Sequence, residues 1–151
     1  MAQDWDAYPH ARQTKLFLSK INSSFTDAVL SLDRWSLSRI ISAITGHGPF
    51  NYHQHLLGMV DTSVCRLCSL EPETFFHLLT ACPRLMESRL KIYGTHMLDS
   101  LNNNIDLTPA NMLAFISSTC LNEIFGSLEA PNRNNSLASD EVSSAASSAE
   151  V

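Results

Sequence analysis

Apolar residues recur along most of this chain at the spacing of an amphipathic helix. Phe25, Val29 and Leu32 lie at i, i+4 and i+7, so they share one helical face. The next segment carries a second apolar stripe, formed by Leu37, Ile40, Ile41 and Ile44. Glycine is scarce, with 5 residues in 151, and no run of β-branched residues is present. The pattern predicts a small all-α domain with a loop-rich centre.

Helix-breaking residues set the expected helix ends in the first 60 residues. Residues 11–21 are predicted to form a short helix, followed by a break and an N-cap at 22–24. A third helix is expected to begin near Ser36 and to stop at 45–49, where two glycines and a proline lie close together. Residues 51–59 can add one or two helical turns.

One long helix is predicted near the C-terminal end of the folding part. Thr108 and Pro109 form a favourable N-cap and first-turn pair, and Gly126 is a suitable stop. The apolar stripe between them consists of Leu113, Ile116, Cys120 and Ile124, with Met112 and Leu121 on its flanks. Cys120 is accordingly interpreted as a small buried hydrophobic residue.

Charge is distributed unevenly along the chain. Residues 1–100 carry nine Lys/Arg and nine Asp/Glu, whereas 101–151 carry one Arg and six acids, so the net charge of −5 arises in the last third. A basic domain that binds phosphate by charge alone is not indicated. Residues 127–151 are rich in Ser, Ala and Asn and lack aromatic residues. We therefore expect this tail to be disordered, because it cannot bury enough surface to offset its ordering entropy.

Targeting signals are not evident in the sequence. The N-terminal MAQDWDAYPH lacks the apolar segment of a signal peptide, and no window approaches the ~18 apolar residues of a membrane span. We therefore expect an intracellular protein, nuclear or cytoplasmic, without a membrane partner. Closely spaced cysteines in that reducing environment are more often metal ligands than disulfide partners.

A cysteine–histidine cluster is the strongest chemical signal. Its spacing is Cys65-x2-Cys68-x8-His77-x4-Cys82. A C-x2-C pair forms a tight turn that directs two sulfurs to one place, and three thiolates with one imidazole suit tetrahedral zinc. Four protein ligands leave no open position for water or substrate, so the expected cofactor is one structural Zn2+. The alternative is a chance gathering of buried thiols and a core histidine.

Local sequence around the cluster fits this interpretation. Pro72 and Glu73 are expected to open a helix that carries His77, and Pro83 disfavours helical geometry at Cys82. The chain can thus leave the helix and return Cys82 to the ion. The residues of this helix that should face the core are Phe75, Leu78 and Leu79. A further helix is predicted after Pro83, with one apolar face made of Met86, Leu90 and Tyr93.

The cluster belongs to a longer pattern. Its residues are Thr45-Gly46-His47, His53, His55, Cys65, Cys68, Glu73-Thr74, His77, Leu79, Cys82 and Pro83. This pattern resembles the segment downstream of the RNase H domain in non-LTR retrotransposon polyproteins of the jockey type. A looser similarity covers roughly residues 5–95. The resemblance supports the zinc site and implies a nucleic-acid-associated role. The partners that it implies are RNA or DNA, or the upstream reverse transcriptase and RNase H domains of a parent polyprotein.

The chain is predicted to divide into four parts, and the resemblance reaches only the first two. Residues 1–60 are similar to the helical linker after the RNase H domain, and 61–98 form the CCHC zinc-binding module. Residues 99–126 are the C-terminal amphipathic helix, and 127–151 are the tail. The carboxylate clusters of polymerase and RNase H lie upstream in such polyproteins, and nothing here matches them. No paired carboxylates, nucleophile elbow or phosphate loop are present, so neither enzymatic activity nor a small-molecule substrate is expected.

Two functional hypotheses follow from the residues around the cluster. The candidate phosphate-binding cations are Arg66, Arg84, Arg89 and Lys91. Together with the resemblance, which implies a retrotransposon origin, they favour a non-catalytic zinc-binding domain that assists RNA or DNA binding. The nearby acids Asp61, Glu71, Glu73 and Glu87 match them in number. That balance favours the alternative, a zinc-stabilised protein-interaction module or a non-functional relic.

Three further histidines precede the cluster: His47, His53 and His55. They lack a suitably spaced acid and a nearby cysteine. They are therefore interpreted as packing against, or hydrogen-bonding to, the zinc module rather than as a second metal site.

Overall fold

The computed structural model describes residues 9–18, 23–98 and 107–126. In these ranges the regular elements are helices, which confirms the predicted all-α class, and an isolated bridge joins Val64 to Pro72. The helices are α1 (Arg12–Phe17), α2 (Ser23–Leu30), α3 (Arg34–Thr45), α4 (Asn51–Leu56), α5 (Phe75–Thr80), α6 (Met86–Tyr93), α7 (Pro109–Ser117) and α8 (Leu121–Gly126), with a 3-10 turn at Pro83–Leu85. The tail predicted for 127–151 lies outside the described residues.

Local capping explains the limits of α3. The Asp33 carboxylate accepts hydrogen bonds from the backbone N–H groups of Trp35 and Ser36 at 2.9 and 3.2 Å, so the helix begins two residues before the predicted start. It ends, as predicted, at Gly46, whose φ of 77° is the left-handed conformation that favours glycine. A side chain at this position would also collide with Gln13 of α1.

One hydrophobic core is shared by the described residues of the three predicted parts 1–60, 61–98 and 99–126. Its largest apolar members are Ile40, Phe50, Phe75, Leu78, Leu79, Leu98, Met112, Phe115, Ile116, Leu121 and Phe125. The Phe50 ring is central, with centroids 5.5 Å from Phe125 and 6.1 Å from Phe75. The cysteine-rich segment is therefore packed on the same core as the flanking helices.

The prediction of one C-terminal helix is wrong, because the chain turns between α7 and α8. Thr119 accounts for the break: its hydroxyl donates to the carbonyl oxygen of Phe115 at 2.9 Å and accepts from the N–H of Leu121 at 3.3 Å. Such side-chain bonds compete with the helical ladder. The turn gives α8 a direction different from that of α7. Phe125 of α8 is buried, as is Phe115 of α7, whereas Cys120 between the two helices is exposed. The interpretation of Cys120 as a buried residue is also wrong.

The inward face of α6 agrees only in part with the predicted apolar face, of which Tyr93 packs against the core. Met86 and Leu90 remain 46% and 41% exposed, whereas Leu85, just before the helix, and Arg89 are buried. The backbone beneath α6 presents carbonyl oxygens to which Arg89 donates, and this explains why a polar residue turns inward. Within the described ranges, no helix is long and apolar enough to cross a membrane.

Candidate metal centre

The first two ligands lie in a tight turn, as their spacing predicts. The N–H of Cys65 donates to the carbonyl oxygen of Glu71 at 2.8 Å, and the N–H of Ser69 donates to that of Cys65 at 2.8 Å. Ser69 takes a left-handed conformation, with φ of 57°, that closes the turn directly after Cys68. The backbone thereby holds both cysteines at the tip of a short, strand-like pairing.

The other two ligands are placed by α5 and by its exit. Thr74 caps this helix, accepting a hydrogen bond from the N–H of His77 at 3.1 Å. The helix therefore begins at Phe75 and not at Pro72 as predicted. Cys82 has left helical geometry, with φ −59° and ψ 118°. This agrees with the predicted effect of the following proline.

Four ligand atoms converge at this place. The sulfurs of Cys65, Cys68 and Cys82 and a ring nitrogen of His77 all lie within 4.8 Å of one another. Zn–S bonds of about 2.3 Å in a tetrahedron would separate two sulfurs by about 3.8 Å. All three cysteines are free thiols, and Cys65, His77 and Cys82 are buried. The four residues can therefore hold one metal ion.

Glu71 orients the imidazole. The Nδ1 of His77 lies 3.0 Å from the Glu71 carboxylate, while its Nε2 lies 3.2 Å from the sulfur of Cys68. When Nδ1–H donates to the carboxylate, the lone pair of Nε2 points at the sulfurs. A ligating histidine usually has such an outer partner. From the sequence alone, Glu71 is only one of the acids that match the nearby cations in number, because its spacing carries no distinctive signal.

Electrostatics distinguish the three thiols. Burial raises the pKa of Cys65, and burial likewise raises the pKa of Cys82 to about 12. Burial also acts to raise the pKa of Cys68, but in the metal-free fold hydrogen bonds from the backbone of Leu70 and from Nε2–H of His77 outweigh it and lower the value to about 7. A bound metal ion would take the place of that Nε2 proton. Two of the sulfurs therefore keep their protons at neutral pH unless a cation replaces them.

Arg66 is committed to the fold. Its guanidinium forms an ion pair with the fully buried Glu73 at 2.7 Å and also donates to Asn51 and to the carbonyl oxygen of Pro49. The side chain of Arg66 is 37% exposed. These contacts link the cysteine turn to the start of α4. They explain the position of Arg66 without a phosphate.

The other three predicted cations differ in exposure. Arg89 is fully buried, so its assignment as a phosphate ligand is wrong. Lys91 is exposed and pairs with Glu87 at 2.9 Å. Arg84 is exposed and forms no ion pair within the described part of the chain. The structure thus leaves Arg84 and Lys91 as cations that can reach an external partner.

The three additional histidines lie outside the ligand cluster. His47 and His53 stack edge to face, with ring centroids 5.0 Å apart, and His55 contacts the carbonyl oxygen of Val60 at 3.1 Å. Burial and the neighbouring His47 lower the pKa of His53. They pack on each other and on the chain leading into the module. Among the described residues, they do not join three or more ligands in a second metal cluster.

Comparison of the chain with protein-family models, with curated proteins and with solved structures found no match in any of the three. The metal centre is therefore defined by the geometry of this chain's own residues.

Proposed function

We propose that this chain is a non-catalytic binding module whose fold is stabilised by one zinc ion. The observation that carries the proposal is the convergence of four ligand atoms within 4.8 Å, with the histidine held by a carboxylate. Zinc suits three thiolates and one imidazole in a tetrahedron, and four protein ligands leave no position for a substrate.

The expected energetic weight of the ion is large. Structural zinc contributes about 10–16 kcal/mol to small modules, whereas whole domains are stable by only about 5–15 kcal/mol. The candidate ligands come from the tight turn that holds Cys65 and Cys68, from α5, which carries His77, and from Cys82 after this helix. One ion would therefore join three pieces of backbone that are all packed on the core.

The proposal extends to retrotransposon origin and to assistance in RNA or DNA binding. The motif residues that resemble jockey-type polyproteins have defined roles in this fold: Glu73 is a buried ion-pair partner, Thr74 caps α5, and His77 is a ligand. The exposed cations Arg84 and Lys91 are the remaining candidates for phosphate contacts. Because positive and negative charges are balanced over residues 1–100, we expect electrostatic attraction to contribute only modestly to RNA or DNA binding.

A protein-interaction role is the second candidate, and a specific surface favours it. Leu56, Leu57 and Met59 are 66%, 60% and 66% exposed, at the end of α4 and in the turn that follows. Three large apolar side chains are thus exposed within four residues of sequence, and exposed apolar residues in a group are of the kind that protein partners cover.

The zinc content of the purified protein is the first test of the proposal. We expect one zinc per chain by elemental analysis, and loss of both the zinc and the helical circular dichroism in Cys68→Ser. Cys120→Ser is the matched control, because Cys120 is exposed and stands apart from the ligand cluster. A folded, helical parent protein without metal would contradict the proposal.

Binding of nucleic acid by the zinc-loaded protein is the second test. We expect weak binding of single-stranded RNA or DNA at low salt, which declines as salt rises and is reduced further in Arg84→Glu/Lys91→Glu. Leu56→Asp/Leu57→Asp should leave it intact. Absence of binding at low salt would reject the nucleic-acid role and favour the protein-interaction module.

A further inference from the structure

Arg89 is the largest fully buried side chain in the described part of the molecule, and it lies beside the metal centre. Its guanidinium donates to three carbonyl oxygens: Nε to His96 at 2.7 Å, Nη1 to Leu78 at 3.1 Å and Nη2 to Cys82 at 2.6 Å. Cys82 is a ligand residue, and Leu78 follows the ligand His77. Arg89 thus binds the backbone directly after His77 and at Cys82, the two C-terminal candidate ligands.

Among the described residues, Arg89 forms no ion pair with a carboxylate. The ion pairs nearest to it in sequence are His77–Glu71 and Lys91–Glu87, and neither includes Arg89. A buried charge is costly unless an opposite charge compensates it, and carbonyl dipoles do so only in part.

A zinc-loaded centre would supply a compensating negative charge. Three thiolates, one neutral imidazole and one divalent cation sum to a net charge of −1, which a single guanidinium cancels. We propose that Arg89 is the buried counter-cation and positioning residue of the zinc centre: its charge stabilises the metal-loaded centre relative to the metal-free one. This inference rests on the proposed function, because it requires that the four ligands bind a divalent ion.

A purely structural role is the competing explanation. Leu78 belongs to the last turn of α5, where carbonyl oxygens lack helical partners, and an arginine can cap them. Capping needs hydrogen-bond donors but no specific charge at the metal. A neutral hydrogen-bond donor in place of Arg89 would therefore preserve the capping role but would not preserve the counter-charge role.

Two substitutions at Arg89 separate charge from hydrogen bonding. Arg89→Gln keeps N–H donors without the charge, whereas Arg89→Lys keeps the charge without the planar fork. We expect zinc affinity, measured in the full chain by competition with a chromophoric chelator, to fall roughly 10–100-fold in Arg89→Gln and by less than about tenfold in Arg89→Lys. Arg34→Gln is the matched control, because it removes an exposed arginine charge that lies over the Trp35 ring.

A change in the charge of the centre gives an independent measurement. Cys68→His would make the loaded site neutral, since two thiolates balance one divalent ion. In that background we expect Arg89→Gln to lower zinc affinity by less than about threefold, because no net negative charge remains to be balanced. A structural cap predicts the same loss in both backgrounds.

The outcomes are distinct for each claim. A parent protein that binds no zinc would overturn the proposed function and this inference together. A parent that binds zinc with equal losses in Arg89→Gln and Arg89→Lys, or with the same loss in the Cys68→His background, would overturn the inference alone. If Arg89→Gln does not fold, a loss greater than about tenfold in Arg89→Lys would overturn it as well.

Discussion

At the scale of single residues, the contact between His77 and Glu71 determines which nitrogen of the ring is available to a metal. In the metal-loaded protein, the Nδ1···carboxylate contact of 3.0 Å would favour the tautomer whose Nε2 lone pair faces the cysteines. Glu71 is 61% exposed on its side chain, so water weakens the interaction but does not abolish the orientation.

Replacement of Glu71 should therefore weaken metal binding without destroying it. We expect Glu71→Ala to lower zinc affinity by about tenfold, at the lower end of the range for outer partners of ligating histidines, because this carboxylate is partly solvated. Competition with a chelator measures the change. The control is Glu87→Ala, which removes an exposed glutamate that pairs with Lys91. An affinity equal to that of the parent would argue against an orienting role.

At the scale of elements, the buried Glu73 connects the cysteine turn to α4. Its carboxylate accepts from the N–H of Asn51 at 3.0 Å and from the N–H of Arg66 at 2.8 Å, in addition to the ion pair with the Arg66 guanidinium. The residue before α4, Phe50, provides no side-chain cap. A carboxylate that is distant in sequence therefore satisfies the start of this helix.

Loss of the Glu73 charge should destabilise both elements. We expect Glu73→Gln to lower the free energy of unfolding by about 2–4 kcal/mol, because it leaves the Arg66 charge without a partner; the partial exposure of Arg66 keeps the loss moderate. Urea denaturation of the metal-loaded protein measures it.

The double variant Arg66→Met/Glu73→Gln is the informative comparison for this pair. It removes both charges, so it should recover part of the lost stability. If both proteins unfold at the urea concentration of the parent, the buried pair does not stabilise the fold.

At the scale of the whole molecule, metal and pH are coupled through the thiols. In the metal-free fold the raised pKa of Cys82, about 12 against an ordinary 9.0, keeps this sulfur protonated, and burial acts in the same direction on Cys65. A raised thiol pKa stabilises the metal-free fold below about pH 9 and ceases to do so as the pH rises towards 12. Metal binding has the opposite dependence, because the ion must displace these protons.

We therefore expect zinc affinity to rise steeply with pH. Two protonated thiols and a Cys68 with a pKa of about 7 imply that zinc binding releases two to three protons. The apparent zinc affinity should therefore rise by about two orders of magnitude per pH unit between pH 7 and 8. Chelator competition, corrected for the chelator's own protonation, measures the slope. Calorimetry in buffers of different ionisation enthalpy counts the protons. An affinity independent of pH in this range would contradict the thiolate assignment.

Local signals in the sequence were sufficient wherever one short segment controls the outcome. The left-handed stop at Gly46, the cap at Thr108 and the helix exit before Pro83 were all predicted, since each depends on the conformational limits of a single residue. The metal-ligand set was predictable for a similar reason. The C-x2-C spacing alone forces two sulfurs together, and only the approach of His77 and Cys82 needed the fold.

Features that depend on partners distant in the chain could not be predicted in this way. A periodic pattern assigned Met86 and Leu90 to an inward face of α6, but the carbonyl oxygens beneath that helix select Arg89 instead. The burial of Glu73 likewise depends on Arg66 and on the start of α4, which adjoins it only after folding.

The sequence by itself thus determined the helical class of this protein and the four residues that can hold a metal ion, because both follow from the spacing of neighbouring residues. Only the tertiary structure decided which charges remain at the surface. It buries Arg89 beside Cys82, pairs Arg66 with Glu73 and turns Glu71 towards His77. The physical reason is that the cost of burying a charge depends on every group around it, and those groups come together only when the chain folds.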